Sequence, residues 1–200
     1  MQHIGTVLLS IAAVAAAVPT VNLPRASFPD KNAPFQVYAY GTGIGGLPMF
    51  SAGGEAYFGD HSKFNDPNAA PVIFTPAPDN VWHGAPNTTA LNSTATPSWS
   101  NLTFSIPAEG ASDHGVGLVG PDSTTPDRQT NGFTFYGSVV IVEGGSGSVE
   151  SMWYATPSSI DGIYSLKWNA TGDAADDKII LALKKTPPSN DDSKTKGRDV

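Results

Sequence analysis

The chain predicts an all-β fold, a single-domain antiparallel β-sandwich or jelly roll, on three observations. Apolar and polar residues alternate with period two in several short runs, 21 glycines and 17 prolines punctuate those runs, and no window beyond the N-terminal segment carries a helical period. A closed barrel satisfies the same periodicity, because alternation says which side chains share a face and not which strands pair.

Residues 1–17 read as a secretory signal peptide: a short polar start, an apolar run from Ile4 through Ala17, and Ala15-Ala16-Ala17 as the small-residue cleavage site. The apolar run is shorter than a bilayer requires, so no membrane partner is expected. Residues 18–34, broken by Pro19, Pro24, Pro29 and Pro34, form an extended lead-in. The β domain then occupies 35–185. Its first strand is Phe35 to Tyr40, followed by a glycine-rich corner, Met49 to Phe50, and Glu55 to Phe58. Gly41, Gly43 and Gly46 spell G-x-G-x-x-G, but Leu47 and Pro48 follow at once where a dinucleotide site needs a helix N-terminus. The glycines therefore mark a strand-to-strand corner.

Val72 to Thr75 and Asn80 to His83 are further short runs bounded by prolines. In Trp99 to Ile106, alternation places Leu102, Phe104 and Ile106 on one face and Asn101, Thr103 and Ser105 on the other. The C-terminal half predicts a four-strand meander: Gly132 to Val142, Val149 to Thr156, Ile163 to Trp168 after an Asp161-Gly162 turn, and Lys178 to Leu183. Residues 186–200 have the composition of a polar, disordered tail.

A net charge of -7, with Lys63, Arg128 and Lys167 the only cations between Asn32 and Thr171, excludes a nucleic-acid partner, which needs clustered positive charge. Cysteine is absent, so burial and hydrogen bonds alone must hold the domain. Four N-x-[ST] sequons, at Asn87, Asn92, Asn101 and Asn169, predict N-glycosylation in an exported chain. The parity of both predicted strands puts Asn101 and Asn169 on polar faces.

Three constellations are candidates for chemistry. Tyr38, Tyr40, Tyr57 and Trp153 are candidate ligand-binding rings, since flat aromatic faces stack on sugars, although the four tryptophans also serve as core filling. Glu55, Asp60, Glu143 and Glu150 lie on or beside predicted strands, and Glu55 with Asp60 is the preferred pair for glycoside hydrolysis. His61, His83 and His114, two of them beside an aspartate, are the weakest set, because they show no metal-ligand spacing. No serine or cysteine nucleophile motif is present and no cofactor is implied.

The runs YAYGTGIGGLPMFSAGGEAYFGD, GFTFYGSVVIV and SMWYATPSSIDGIYSLKWNA, which span most of Phe35 to Lys184, resemble a group of secreted glycoproteins of filamentous fungi. The resemblance implies export to an extracellular or cell-wall setting and carries over no catalytic residue. The expectation is a non-catalytic, N-glycosylated, extracellular protein that binds a glycan or a surface partner, with a carbohydrate-active hydrolase as the alternative.

Overall fold

The computed structural model describes residues 32–91, 97–121, 123, 126–144, 147–169 and 171–189. The expected signal peptide, nearly all of the expected lead-in, Asn92, and residues 190–200 lie outside them.

The fold is all-β and antiparallel, with only three short 3-10 turns among the described residues. Its strands are β1 (Tyr38–Gly41), β2 (Ile44–Ala52), β3 (Glu55–Phe58), β4 (Ala70–Ala77), β5 (Val81–Pro86), β6 (Leu102–Pro107) and β7 (Gly117–Val119). They continue with β8 (Arg128–Gln129), β9 (Phe133–Tyr136), β10 (Val139–Glu143), β11 (Val149–Glu150), β12 (Trp153–Pro157), β13 (Tyr164–Trp168) and β14 (Ile179–Lys184). Ten of them run in the order β1-β2-β4-β5-β6-β7-β3-β13-β12-β14, and β14 pairs back onto β1 from Tyr38↔Lys184 to Gly41↔Leu181. The result is a closed ten-strand barrel. The expected sandwich or jelly roll is thereby corrected, because a sandwich leaves edges where this ring has none.

The glycine-rich corner closes the β1–β2 hairpin. Tyr40 pairs Gly45 while Ala39 pairs Leu47, so Gly46 is an extra residue, and its φ of +95° is one that glycine alone adopts without strain. The β2–β3 hairpin turns through Gly53-Gly54 and pairs Met49↔Phe58 through Ala52↔Glu55. That pairing ties the ring across, with β4, β5, β6 and β7 on one side of the hairpin and β13, β12, β14 and β1 on the other.

The expected C-terminal meander also differs. Gly132 to Val142 is not one strand but the β9–β10 hairpin, which turns at Gly137 (φ +65°). β14 returns beside β12 rather than β13, with Tyr154↔Ile180 and Ala155↔Ile179 in register. The order β13-β12-β14-β10 lets β14 serve both the barrel wall and the ring closure.

Inward residues fill the interior completely. Val37, Ala39, Phe58, Val72, Phe74, Trp82, Phe104, Ile106, Phe133, Val140, Trp153, Leu166 and Leu183 belong to one buried cluster. Trp82 is stacked on Phe104 at 5.8 Å and on Phe135 at 5.1 Å, and Trp153 meets Trp168 edge-on at 4.4 Å. Among the described residues, the interior is thus packed with side chains. A satellite cluster of Phe50, Ala52, Ala69 and Ile163 lies on the opposite face of β2, where Tyr57 stacks on Phe50 at 5.4 Å.

Candidate functional site

With the interior filled, any site must lie where strands run out. One such place is a cleft of about 510 Å³ beyond the ends of β6, β8, β10 and β13, lined by Pro107, Glu109, His114, Gln129, Val142, Glu150, Met152, Trp168 and Asn169 among others. Its floor is apolar: Val142 is 1% exposed and Trp168 is 5% exposed, held by its edge contact with Trp153. Its rim carries carboxylates and amides, and among the described residues no Lys or Arg lines it.

Each polar rim residue is positioned by local geometry. His114 is locked to β13 at two points, since Trp168 N donates to the His114 carbonyl (3.0 Å) and His114 Nδ1 lies 3.0 Å from the Trp168 carbonyl. A carbonyl only accepts, so Nδ1 carries a proton. Glu150 is set by its pairing with Val142 across β10–β11, and Oγ of Ser148 donates to its Oε1 at 3.3 Å. Gln129 is fixed from β8, its Nε2 donating to the Asn131 carbonyl at 3.0 Å. Glu109 stands in the turn after β6, where the Ala111 N–H closes on the Ala108 carbonyl at 3.1 Å.

The cleft gathers three residues that the sequence nominated for three different roles: His114 for metal, Glu150 for an acidic pair and Asn169 as a glycan acceptor. Glu109 and Gln129 escaped sequence reasoning, because each comes from a separate connection with no motif around it.

Other nominated residues are dispersed. Tyr38 and Tyr40 share the outer face of β1, since Ala39 between them is wholly buried. Tyr40 lines a more open groove of about 560 Å³ with Lys184, Pro187 and Pro188. Its hydroxyl donates to the Thr186 carbonyl at 2.9 Å, and Lys184 Nζ sits 4.9 Å from its ring centre. Tyr57 lies elsewhere, between Phe50 and Phe64, where burial first and the Glu55 charge second push its hydroxyl pKa up. Trp153 is 0% exposed, with its indole N–H donating to the Val140 carbonyl at 3.1 Å. It is core filling and presents no face to a ligand.

Glu55 and Asp60 are not brought together. Glu55 opens β3, whereas Asp60 lies beyond its last residue, Phe58, and past Gly59 (φ +130°). Asp60 instead caps a 3-10 turn at His61–Lys63, accepting from Ser62 N (3.0 Å) and Ser62 Oγ (2.7 Å). The Ser62 hydroxyl is the main reason its carboxyl is held below the usual range. Glu55 has a different neighbour: its Oε2 and Asp113 Oδ1 each lie 3.2 Å from the point where a Cβ on Gly115 would stand, hence no more than about 6.4 Å apart.

His61 lies on that 3-10 turn, His83 on β5 within 3.5 Å of Thr103 Oγ1, and His114 in the cleft. Among the described residues no three His, Asp or Glu side chains converge as a metal-holding group.

The sequon asparagines are placed by backbone rather than by strand parity. Asn101 (φ +51°) immediately precedes β6 and Asn169 (φ +67°) immediately follows β13, in the left-handed region that asparagine tolerates. Asn87 accepts from its own sequon hydroxyl, Thr89 Oγ1, at 2.6 Å, and Asn169 accepts from Thr171 Oγ1 at 3.1 Å.

Comparisons with protein-family models, curated proteins and solved structures find no match to this chain.

Proposed function

We propose that the protein is a secreted, N-glycosylated, non-catalytic barrel that binds a saccharide in the cleft between Glu109, His114, Glu150 and Trp168. The observation that carries this reading is the make-up of the cleft: an apolar floor bearing a tryptophan edge, under a rim of carboxylates, an amide and an imidazole anchored through Nδ1. Sugars present the complement, C–H faces on one side and hydroxyl donors and acceptors around the edge. The export segment, the four sequons and the resemblance to secreted fungal glycoproteins support an extracellular or cell-wall setting.

A second reading, hydrolysis by an acidic pair, now runs through Glu55 and Asp113 rather than Glu55 and Asp60. Retaining glycosidases hold their two carboxyl groups about 5 Å apart, which the bound on this pair permits.

One experiment separates the two. The purified mature protein is titrated with soluble oligosaccharides by calorimetry, and the mixtures are assayed for new reducing ends. Binding without turnover, weakened about tenfold by Glu150→Gln with Gln129→Ala and untouched by Tyr40→Ala, is the expected result. Turnover abolished by Glu55→Gln or Asp113→Asn establishes the second reading, and silence in both assays defeats both.

A further inference from the structure

Resting on the saccharide reading above, we infer that the cleft selects a saccharide carrying a free amine, protonated and cationic, over neutral sugars of the same size. The argument is a charge inventory of the cleft and its surroundings. Two carboxylates, Glu109 and Glu150, line it. Among the described residues, no lysine or arginine lines the cleft to compensate them.

Two nearby cations, Arg128 and Lys178, are committed elsewhere. Arg128 Nη1 donates to the Gly115 carbonyl at 2.6 Å and its Nε to Ser105 Oγ at 3.2 Å. Lys178 Nζ donates to the Asp173 carbonyl and lies 5.9 Å from the centre of the Tyr154 ring. Along the lining segments, Asp113 beside His114 and Glu143 between Val142 and Gly144 add negative charge, whereas Lys167 beside Trp168 is basic but alternates onto the opposite face of β13.

A neutral sugar entering such a place meets acceptors in excess and leaves two carboxylates partly stripped of water without a counter-charge, which disfavours it. An ammonium group supplies three donors and one positive charge to that same set, so the desolvation is offset where it arises. The apolar floor accounts for the remainder of the ligand. A bare metal ion leaves Val142, Met152 and Trp168 without a partner, so the floor argues for an organic cation.

The test compares three tetrasaccharides against the intact mature glycoprotein: a glucosamine tetramer with free amines, its fully N-acetylated counterpart, and a glucose tetramer. Calorimetry at about pH 6 and low salt should show the free-amine tetramer binding at least tenfold more tightly than the other two. Glu109→Gln with Glu150→Gln should erase that preference while retaining weak binding of all three, and roughly 0.5 M salt should shrink it. An unchanged thermal midpoint in the double variant shows that it is folded.

Equal affinity for the free-amine and acetylated tetramers overturns this inference and leaves the saccharide reading standing. Binding of none of the three defeats both. A lysine tetrapeptide binding more tightly than any sugar also overturns the inference, by showing that the charge alone is recognised.

Discussion

Tyr154 occupies the outer face of β12, between the inward Trp153 and Ala155, and is nevertheless wholly buried because the connection from Thr171 to Lys178 folds over it. Its hydroxyl donates to Asp173 Oδ2. Burial, then the hydrogen bond to Asp173, raise the tyrosine pKa well above its usual 10.0, and the Tyr154 hydroxyl in turn lowers that of Asp173. The signs follow from linkage. The neutral tyrosine is favoured in the fold, so its contribution is complete below about pH 10 and declines as the pH rises beyond that. The Asp173 contribution is complete above the ordinary carboxylate range and is lost as the pH falls through its depressed value. Tyr154→Phe should therefore lower the thermal midpoint near neutral pH and flatten both the alkaline and the acid limb of its pH profile. A variant with both limbs unchanged means the pair is energetically silent. None of this was legible in the sequence: Tyr154 and Asp173 belong to different segments, and alternation marked Tyr154 only as opposite to Trp153.

Among the elements, β6 shows best where period-two reading succeeds and where it stops. Phe104 and Ile106 face the core as alternation requires. The opposite face, expected to be wet, is not: Ser105 is 0% exposed and Thr103 7% exposed. The reason is Arg128 on β8, which pairs beside β6 at Pro107↔Arg128 and lays its guanidinium over Ser105. Ser105 can be buried there because one cation satisfies its hydroxyl and the Gly115 carbonyl together, while Thr103 Oγ1 lies 3.5 Å from His83 Nδ1. Periodicity identifies faces, but a covering element two residues long leaves no periodic trace. Arg128→Ala leaves both acceptors buried without that donor and should cost about 2 kcal/mol, a loss that urea unfolding measures, with Arg128→Lys intermediate. The β9–β10 hairpin failed to register in the sequence for a related reason. Gly137-Ser138 is a two-residue turn, and a strand pattern that resumes at once on the far side reads as uninterrupted.

For the molecule as a whole, the class was readable and the closure was not. Proline and glycine punctuation, alternation and the lack of helical period all pointed to antiparallel β structure, and the parity of Leu166 with Trp168 put both inside. Whether such strands form two stacked sheets or one ring depends on the pairing of β1 with β14, nearly the whole domain apart in sequence, which no local pattern encodes. The cleft was unreadable on the same account, since its rim is contributed by β6, β8, β10, β11 and β13 only after the ring has formed. Register also separates the two ends of the barrel. Asn87 and Asn101 flank the β5–β6 connection beyond the Gly84↔Leu102 pair, whereas Pro107 at the other end of β6 lines the cleft. Sequon residues Asn87 and Asn101 therefore stand at the end remote from the cleft, whereas Asn169 stands on the cleft itself.

The seam at β1 and β14 has a consequence for how the polypeptide can be threaded. Because the first and last barrel strands lie side by side, Tyr38 opposite Lys184, covalent order is nearly cyclic. A rearranged gene that joins the C-terminal end to the N-terminal one through a short glycine-serine bridge, and opens the chain between Leu91 and Pro97, should yield the same barrel with a near-native amide spectrum. Failure of that permuted chain to fold, with the bridge long enough to span the seam, shows that synthesis order and not strand adjacency directs the ring to close.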